Sequence, residues 1–488
     1  MSAHAPAVPR PGPVVAVLAF GGIVVSLMQT VVIPLVPALP GLLDTTASNA
    51  SWAITATLLA AAVATPTMGR LGDMFGKRRM LLVSLALLVV GSVVVALSST
   101  LVPVVIGRAL QGFASGVIPL GISIMRDELP TEKLASATAM MSASLGVGGA
   151  LGLPLAALVA QETDWHVLFW GAAGLGLVAA VFVVLLVPES AERTGGRIDG
   201  VGVLGLSVAL VALLLAVSKG ADWGWGSGLT LGLFVGAAAV LLAWGRWELS
   251  RSAPLVDLRT LARAPVLFTN IASVVFGFAM FAMSLVLPQL MQLPEATGFG
   301  LGRTMLTVGL VMAPSGLVMM AMAPVSARIT RARGPKVTLM VAAAVVAVGY
   351  VLTILLMAEI WHFVLASVVI GAGIGLGYGA MPALIMGAVP RSETASANSL
   401  NTLMRSIGTS AASAIAGVVL AHMTMRLGGV ALPTQAGFRT VLAIGAGAAV
   451  VALVVAAFIP GRRAPAAAAP VVPAEPGRTD AGQSVPAR

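Results

Sequence analysis

Two arginines, Arg108 and Arg405, lie inside long apolar stretches where a guanidinium has no water to turn to. An arginine at bilayer depth costs roughly 2.5–3.5 kcal/mol on insertion scales, so each is expected to face a wet cavity or a hydrogen-bonding partner. A fixed cation among apolar side chains can hold an anion, orient a polar ligand or steer a proton. It cannot hydrolyse anything without a base or nucleophile beside it. Gln29, Gln111, Asn270, Asn398, Asn401 and Tyr378 add neutral hydrogen-bonding groups to the same kind of stretch. Met28, Met280, Met283, Met312 and Met319 have two readings there, an adaptable ligand surface or ordinary apolar filler. The chain has no cysteine, and its four histidines (His4, His166, His362, His422) are scattered, so no metal set is expected. No phosphate-cradling Gly-x-x-x-x-Gly-Lys-Ser/Thr loop and no paired intramembrane acids occur, so neither enzyme activity nor a cofactor is expected. The closely spaced Gly371, Gly373, Gly375, Gly377 and Gly379 lack a strand-turn-helix context and read as helix packing.

The elements that must position these groups are membrane helices. Of 488 residues 58% are hydrophobic and 9% charged, against about 25% charged in a soluble protein. Fourteen non-alternating apolar runs recur, at 14–37, 50–68, 79–98, 101–124, 135–160, 167–187, 200–217, 228–247, 266–291, 304–326, 337–357, 362–387, 395–421 and 438–459. Each is near the length that spans a bilayer as a helix, and only helices or closed barrels satisfy their backbone in lipid. With the N-terminus inside, 22 of the 28 Lys and Arg fall on cytoplasmic segments and four (Lys219, Arg303, Arg426, Arg439) on outer loops. Twelve acids fall inside, six outside and none within a span. The net charge of +10 is therefore a topology signal rather than a nucleic-acid surface. Arginine outnumbers lysine 24 to 4 in a chain rich in Ala, Gly and Val, which suggests a bacterium with a GC-rich genome and places the chain in a cytoplasmic (inner) membrane.

An internal repeat appears at an offset near 260 residues: Pro130 with Ala135-Ser136-Ala137 recurs as Pro390 with Ala395-Ser396-Ala397. The stretch Gly69-Arg70-Leu71 through Gly76-Lys77-Arg78 recurs, degraded, as Ala327-Arg328-Ile329 through Gly334-Pro335-Lys336. Repeated membrane halves are how many secondary transporters are built, with the site at the midplane between them. Two six-helix halves leave a pair over, so the expected architecture is 6+2+6. Its parts are a cytoplasmic segment 1–13, a bundle 14–187, a two-helix insert with flanking loops 188–265, a bundle 266–459 and a disordered cytoplasmic tail 460–488.

The loop Gly69-Arg-Leu-Gly-Asp73-Met-Phe-Gly76-Lys77-Arg78-Arg79 closely resembles the loop signature of the major facilitator superfamily. The resemblance implies that Asp73 and Arg70, with Gly69, Gly76, Lys77 and Arg78 around them, latch the two halves in the outward-facing state. Gly107-Arg108-Ala-Leu-Gln111-Gly112 resembles the family's fourth-helix motif, whose arginine is implicated in proton transfer. Gly146-Val-Gly148-Gly149-Ala-Leu-Gly152-Leu-Pro154 is similar to the motif that marks antiporters, with Leu153 intruding before the proline; small residues for close helix packing fit it as well. Trp52 with Thr55, Arg197-Ile-Asp199-Gly200, Trp223-Gly-Trp225-Gly and Asn401-Thr-Leu-Met-Arg405 resemble, in this order, the fourteen-helix drug:proton antiporter branch. The tryptophans also fit as interfacial aromatics. Where that branch carries an aspartate in span one, this chain reads Leu27-Met28-Gln29-Thr30.

The expected function is therefore export of small lipophilic compounds by alternating access, in exchange for protons, by a monomer. With no acid in any span, neutral or anionic compounds are the favoured substrates, contacting Met28, Gln29, Arg108, Gln111, Asn270, Met280, Met312, Tyr378, Asn398, Asn401 and Arg405. Arg405 reads equally as an anion contact or a gating partner. The proton carrier is sought at Arg108 and Asp73, or among Asp127, Glu128, Glu132, Glu162 and Asp164 at the span ends. A metabolite symporter or uniporter of the same fold, or a non-transporting ligand sensor, are the alternatives.

Overall fold

Proline, glycine and Ser/Thr/Asp caps punctuate the apolar runs, and they set where each helix starts. Asp199 caps one helix by accepting from the Gly202 amide at 2.9 Å, and Ser227, Thr304 and Thr434 cap three others in the same way. The computed structural model describes residues 11–32, 35, 38–190, 195, 199–251, 254–428 and 430–460. Residues 1–10 of the expected N-terminal segment, Arg197, and residues 461–488 of the expected tail lie outside the described residues.

Among the described residues, fourteen helices are long and apolar enough to cross a membrane. They are α1 (Pro11–Thr30), α2 (Trp52–Phe75), α3 (Lys77–Ala96), α4 (Leu101–Glu128), α5 (Thr131–Glu162), α6 (His166–Leu186) and α7 (Gly200–Trp223). The second seven are α8 (Gly228–Ser250), α9 (Ala264–Gln292), α10 (Met305–Arg333), α11 (Pro335–Leu355), α12 (Ile360–Met386), α13 (Thr394–His422) and α14 (Gln435–Ala457). One segment departs from an all-helical reading. Thr424–Leu427 (β1) and Val430–Pro433 (β2) form an antiparallel hairpin between α13 and α14, with Thr424 opposite Pro433.

The apolar interior divides in two. One cluster is built from Val14 to Val187, the other from Ala272 to Ile459, with Met386 and Ala395 joining the first and Ala143 the second. A third, smaller cluster seats Leu206, Leu210 and Leu214 of α7 against Ala62 of α2 and Leu400 and Leu403 of α13. Thus α7 lies along the seam between the two bundles, while α8 stands largely outside it. Six helices, two and six are consistent with this packing. Leu97, Leu185, Val235, Leu242 and Leu355 are exposed on the outside of the bundle. That inverted pattern is what a lipid solvent requires.

Two expectations need correcting. The helices run past the ends expected from hydropathy, so Asp73 lies in the last turn of α2, Asp127 and Glu128 in the last turn of α4, and Glu248 near the end of α8. Acids therefore do occur inside helices of spanning length, because a helix end at the membrane surface can satisfy a carboxylate with neighbouring donors. Lys219, expected in an outer loop, is buried in α7. Its ammonium donates to Ser51 and to Asp222 (3.1 Å) and stands 5.3 Å over the Trp52 ring.

Candidate functional site

Asp73 ends α2 with its carboxylate pointing out of its own bundle. It accepts from the backbone amides of Ala395 (3.2 Å) and Ser396 (2.8 Å) and from the Ser396 hydroxyl (2.8 Å). These are first-turn donors of α13, so an acid of the first bundle caps a helix of the second. A helix N-terminus attracts an anion through its unpaired N–H groups and its dipole. Gly69, one turn earlier, makes this approach possible: a side chain there would strike Ser399 and meet the Ala395 carbonyl at 2.9 Å. Arg126, one residue before Asp127, was not singled out from sequence. Its guanidinium donates to the Val389 carbonyl (2.9 Å), the Pro390 carbonyl (3.2 Å) and the Thr394 hydroxyl. On the other seam Arg331 of α10 donates to the Glu132 carbonyl at 3.1 Å. All these cross-bundle bonds lie at the face that carries most of the cations, which is therefore closed.

The other loop residues serve their own bundle. Lys77, 0% exposed, pairs with Asp127 at 2.6 Å, and Ser190 donates to the same carboxylate. Gly76 turns the chain with φ +115°, a region only glycine enters freely. Glu189 then accepts from the Arg78 and Arg79 amides, each at 3.2 Å, capping α3. The Arg78 side chain donates to the Val184 carbonyl. Arg70 is half-buried beside a cavity of about 240 Å³ that Asp257, Glu393 and Ser396 also line.

Within the first bundle, Arg108 is 1% exposed and enclosed by acceptors. Its Nε donates to the Ala53 carbonyl (3.0 Å), and Nη1 donates to the Met28 carbonyl (3.1 Å) and to Gln111 Oε1 (2.7 Å). Gln111 passes the chain on to Ser92 at 2.9 Å, and the Ser92 hydroxyl faces the Met28 sulfur at 3.9 Å. Three neutral acceptors thus satisfy a guanidinium at the place where an acid was missed in the sequence, with packed side chains around it rather than a wet cavity. Gln29 is the exposed neighbour, its amide reaching Ser115 at 3.3 Å beside the 3-10 turn Phe113–Gly116 that interrupts α4.

Within the second bundle Asn401 donates to Asn270 (2.9 Å) and to Ser273 (2.5 Å), while Asn398 turns back onto the Thr394 carbonyl (2.9 Å). One turn beyond Asn401, the half-buried Arg405 stacks 4.6 Å over the Tyr378 ring. The Tyr378 hydroxyl faces the Met280 sulfur at 3.4 Å, and Met312 is buried nearby in the same core. The polar residues expected from sequence therefore form two separate clusters, one in each bundle.

Gly148 and Gly152 seat α5 on α1. A Cβ on Gly148 would lie 2.5 Å from Ser26 Cβ and 2.6 Å from the Ile23 carbonyl, and one on Gly152 would strike the Thr30 hydroxyl. Pro154 faces the other way, packing on Gly309 of α10 in the second bundle. Gly148→Leu is expected to destabilise the protein by about 1–3 kcal/mol through overpacking. Gly149→Ala, whose nearest neighbour is Thr30 Cγ2 at 3.9 Å, should be neutral. Thermal unfolding in detergent compares the two, and equal midpoints would contradict the packing.

The sequence profile of the Major Facilitator Superfamily matches residues 18–413. The chain belongs to that family. The family is one of membrane transporters, and fourteen of the described helices are long and apolar enough to cross a membrane. An MFS-type transporter of Mycobacterium tuberculosis is 30% identical over 431 residues, covering 86% of this chain. The chain spans 61% of the length of that relative. The tetracenomycin C resistance and export protein of Streptomyces glaucescens is 31% identical over 55% of this chain and 51% of its own length. Multidrug resistance protein 3 of Bacillus subtilis is 24% identical over 76% of this chain and 72% of its own. Among solved structures, the human organic anion transporter MFSD10 shares the fold with a TM-score of 0.62 at 16% identity, covering 92% of this chain and 100% of that one.

Proposed function

We propose that this superfamily member exports small lipophilic compounds from a bacterial cell across the cytoplasmic membrane, as a monomer, in exchange for protons. The bundles 14–187 and 266–459 rock about the midplane, and the insert 188–265 rides on their seam. The observation that carries the reading is the Asp73 carboxylate on the N-terminus of α13, a bond that one state makes and the other must break. The excess of cations on that face supports reading it as cytoplasmic, with both termini there, and its cross-bundle bonds as a closed gate. The names of the Streptomyces and Bacillus relatives support export of antibiotic-like compounds. We assign Arg405 on Tyr378, exposed Gln29 and Met280 to the substrate path, where they would offer a cationic, polar and adaptable surface with no described acid in contact. That combination suits neutral or anionic compounds.

The reading is tested with purified protein in liposomes holding a pH-sensitive dye, under an inward-acid gradient. Neutral or anionic lipophiles should stimulate proton leak, and quaternary ammonium compounds should not. Arg405→Ala should lower the response to anionic compounds about tenfold, the value of one charge-assisted contact of about 1.5 kcal/mol, and leave neutral ones nearly unchanged. Substrate movement down the pH gradient would make the protein a symporter, and binding without flux a uniporter or sensor. A preference for organic cations would overturn the substrate class.

A further inference from the structure

The two-helix insert holds a pair of acids that neither the gate nor the bundle clusters use. Glu248, near the end of α8, is 2% exposed, and its Oε1 has no hydrogen-bond partner among the described residues. Its Oε2 accepts a long bond from the Val256 amide at 3.4 Å, and the Leu255 amide and the Trp244 indole also face the carboxylate. Asp199, at the start of α7, accepts from the Gly202 amide (2.9 Å) and from the Trp247 indole (3.0 Å). A Cβ on Gly202 would strike Glu248 Oε1 and lie 2.8 Å from Asp199 Oδ2, so the two oxygens flank one small space that only a glycine leaves open.

The surrounding charges are engaged elsewhere or stand off. On α8, Arg246 is exposed, and Arg251 just past its end stacks on the Trp247 ring at 3.7 Å. From the linker, Asp257 is taken by the Arg259 amide and Thr260 hydroxyl (each 2.9 Å), while the Arg259 side chain donates to the Leu249 carbonyl. Arg70 and Glu393 line the cavity beyond that linker. No described lysine or arginine lies within 4.0 Å of either carboxylate. Two facing carboxylates, one of them buried with an oxygen that no described donor meets, cannot both stay ionised at an acceptable cost.

We propose that Glu248 and Asp199 form a proton-binding site in the insert, the proton carried on Glu248 Oε1 and donated to Asp199 Oδ2. Asp199 remains the anion, because its carboxylate already accepts two N–H bonds. The site has a mechanical neighbour. Glu248 Oε2 holds the Val256 amide, and Leu255, Val256 and Asp257 line the same cavity as Arg70 and Ser396, the latter being the residue that grips Asp73. Losing the proton would place an unpaired charge under the linker and unseat it beside the gate. The inference goes beyond export and does not need it, since a proton bound here is measurable in a protein that transports nothing.

Infrared titration of the purified full chain, from about pH 5 to about pH 9 so as to bracket a shared carboxyl proton, reads the site directly. The wild type should show a protonated carboxyl band at neutral pH that is absent in Glu248→Gln and retained in Asp73→Asn. In Asp199→Asn the band should change frequency, because its acceptor becomes an amide, and this variant decides the matter if Glu248→Gln does not fold. A band that survives Glu248→Gln, or one that Asp199→Asn leaves unmoved, overturns the proposal. A band that appears only when sodium is replaced by choline makes this a cation site and overturns it too. Absence of proton-driven transport with the band intact would refute the export reading alone.

Discussion

Asp73→Ala should reduce transport to less than a tenth of the wild-type rate while leaving a folded protein. The carboxylate accepts three bonds from α13, and hydrogen bonds to a charged group contribute about 1.5–3 kcal/mol each. On the proposed alternating-access reading these bonds exist only when the gate is closed, so their loss falls on one conformation. Even about 3 kcal/mol would shift the gate about two decades towards opening inward. Burial of each bundle's own core is untouched, so thermal unfolding should change little. Asp73→Asn should be milder, since an amide oxygen can still accept from one backbone N–H. Initial rates in liposomes check both, and a wild-type rate for Asp73→Ala would contradict the gate.

Arg108→Ala should act the other way, on stability first. It would strip the donors from the Ala53 and Met28 carbonyls and from Gln111 Oε1, all inside a packed bundle. An acceptor left unsatisfied costs about 1–3 kcal/mol; Ala53 keeps the Thr57 hydroxyl, so the Met28 carbonyl and Gln111 Oε1 should destabilise by about 2 kcal/mol or more. The vacated volume adds to that. Arg108→Lys should recover only part, because an ammonium cannot span the three acceptors as the planar fork does. Substrate-linked proton flux should fall together with the melting temperature. An Arg108→Ala protein as stable as the wild type would show that the network contributes little to the bundle.

Much of this was legible in the sequence, because lipid leaves few options. Long apolar runs had to be helices, and the spaced glycines and acid of residues 69–76 resembled a loop signature that implies a latch between the halves. The partner of Asp73 was half visible: the repeat flagged Ala395-Ser396, but backbone amides leave no side-chain signature, so the receiving helix end could not be read directly. Arg126 was hidden for the same reason, since two of its three acceptors are main-chain carbonyls. Hydropathy windows ended the spans early, which concealed that Asp73 and Glu248 sit within helices. Arg108 was expected to face either a wet cavity or a hydrogen-bonding partner. Carbonyls offered by α1 and α2, with Gln111, are the partners, and only tertiary packing reveals which.

The most direct test of the central claim is the distance across the cytoplasmic seam. The chain has no cysteine, so Lys133→Cys on α5 and Arg328→Cys on α10 place spin labels on exposed sites without background. With Asp73 in place, pulsed distance measurements in lipid should show a dominant short population, shifting to a longer one in Asp73→Ala. A single distance common to both proteins would contradict a gate that opens when α2 releases α13.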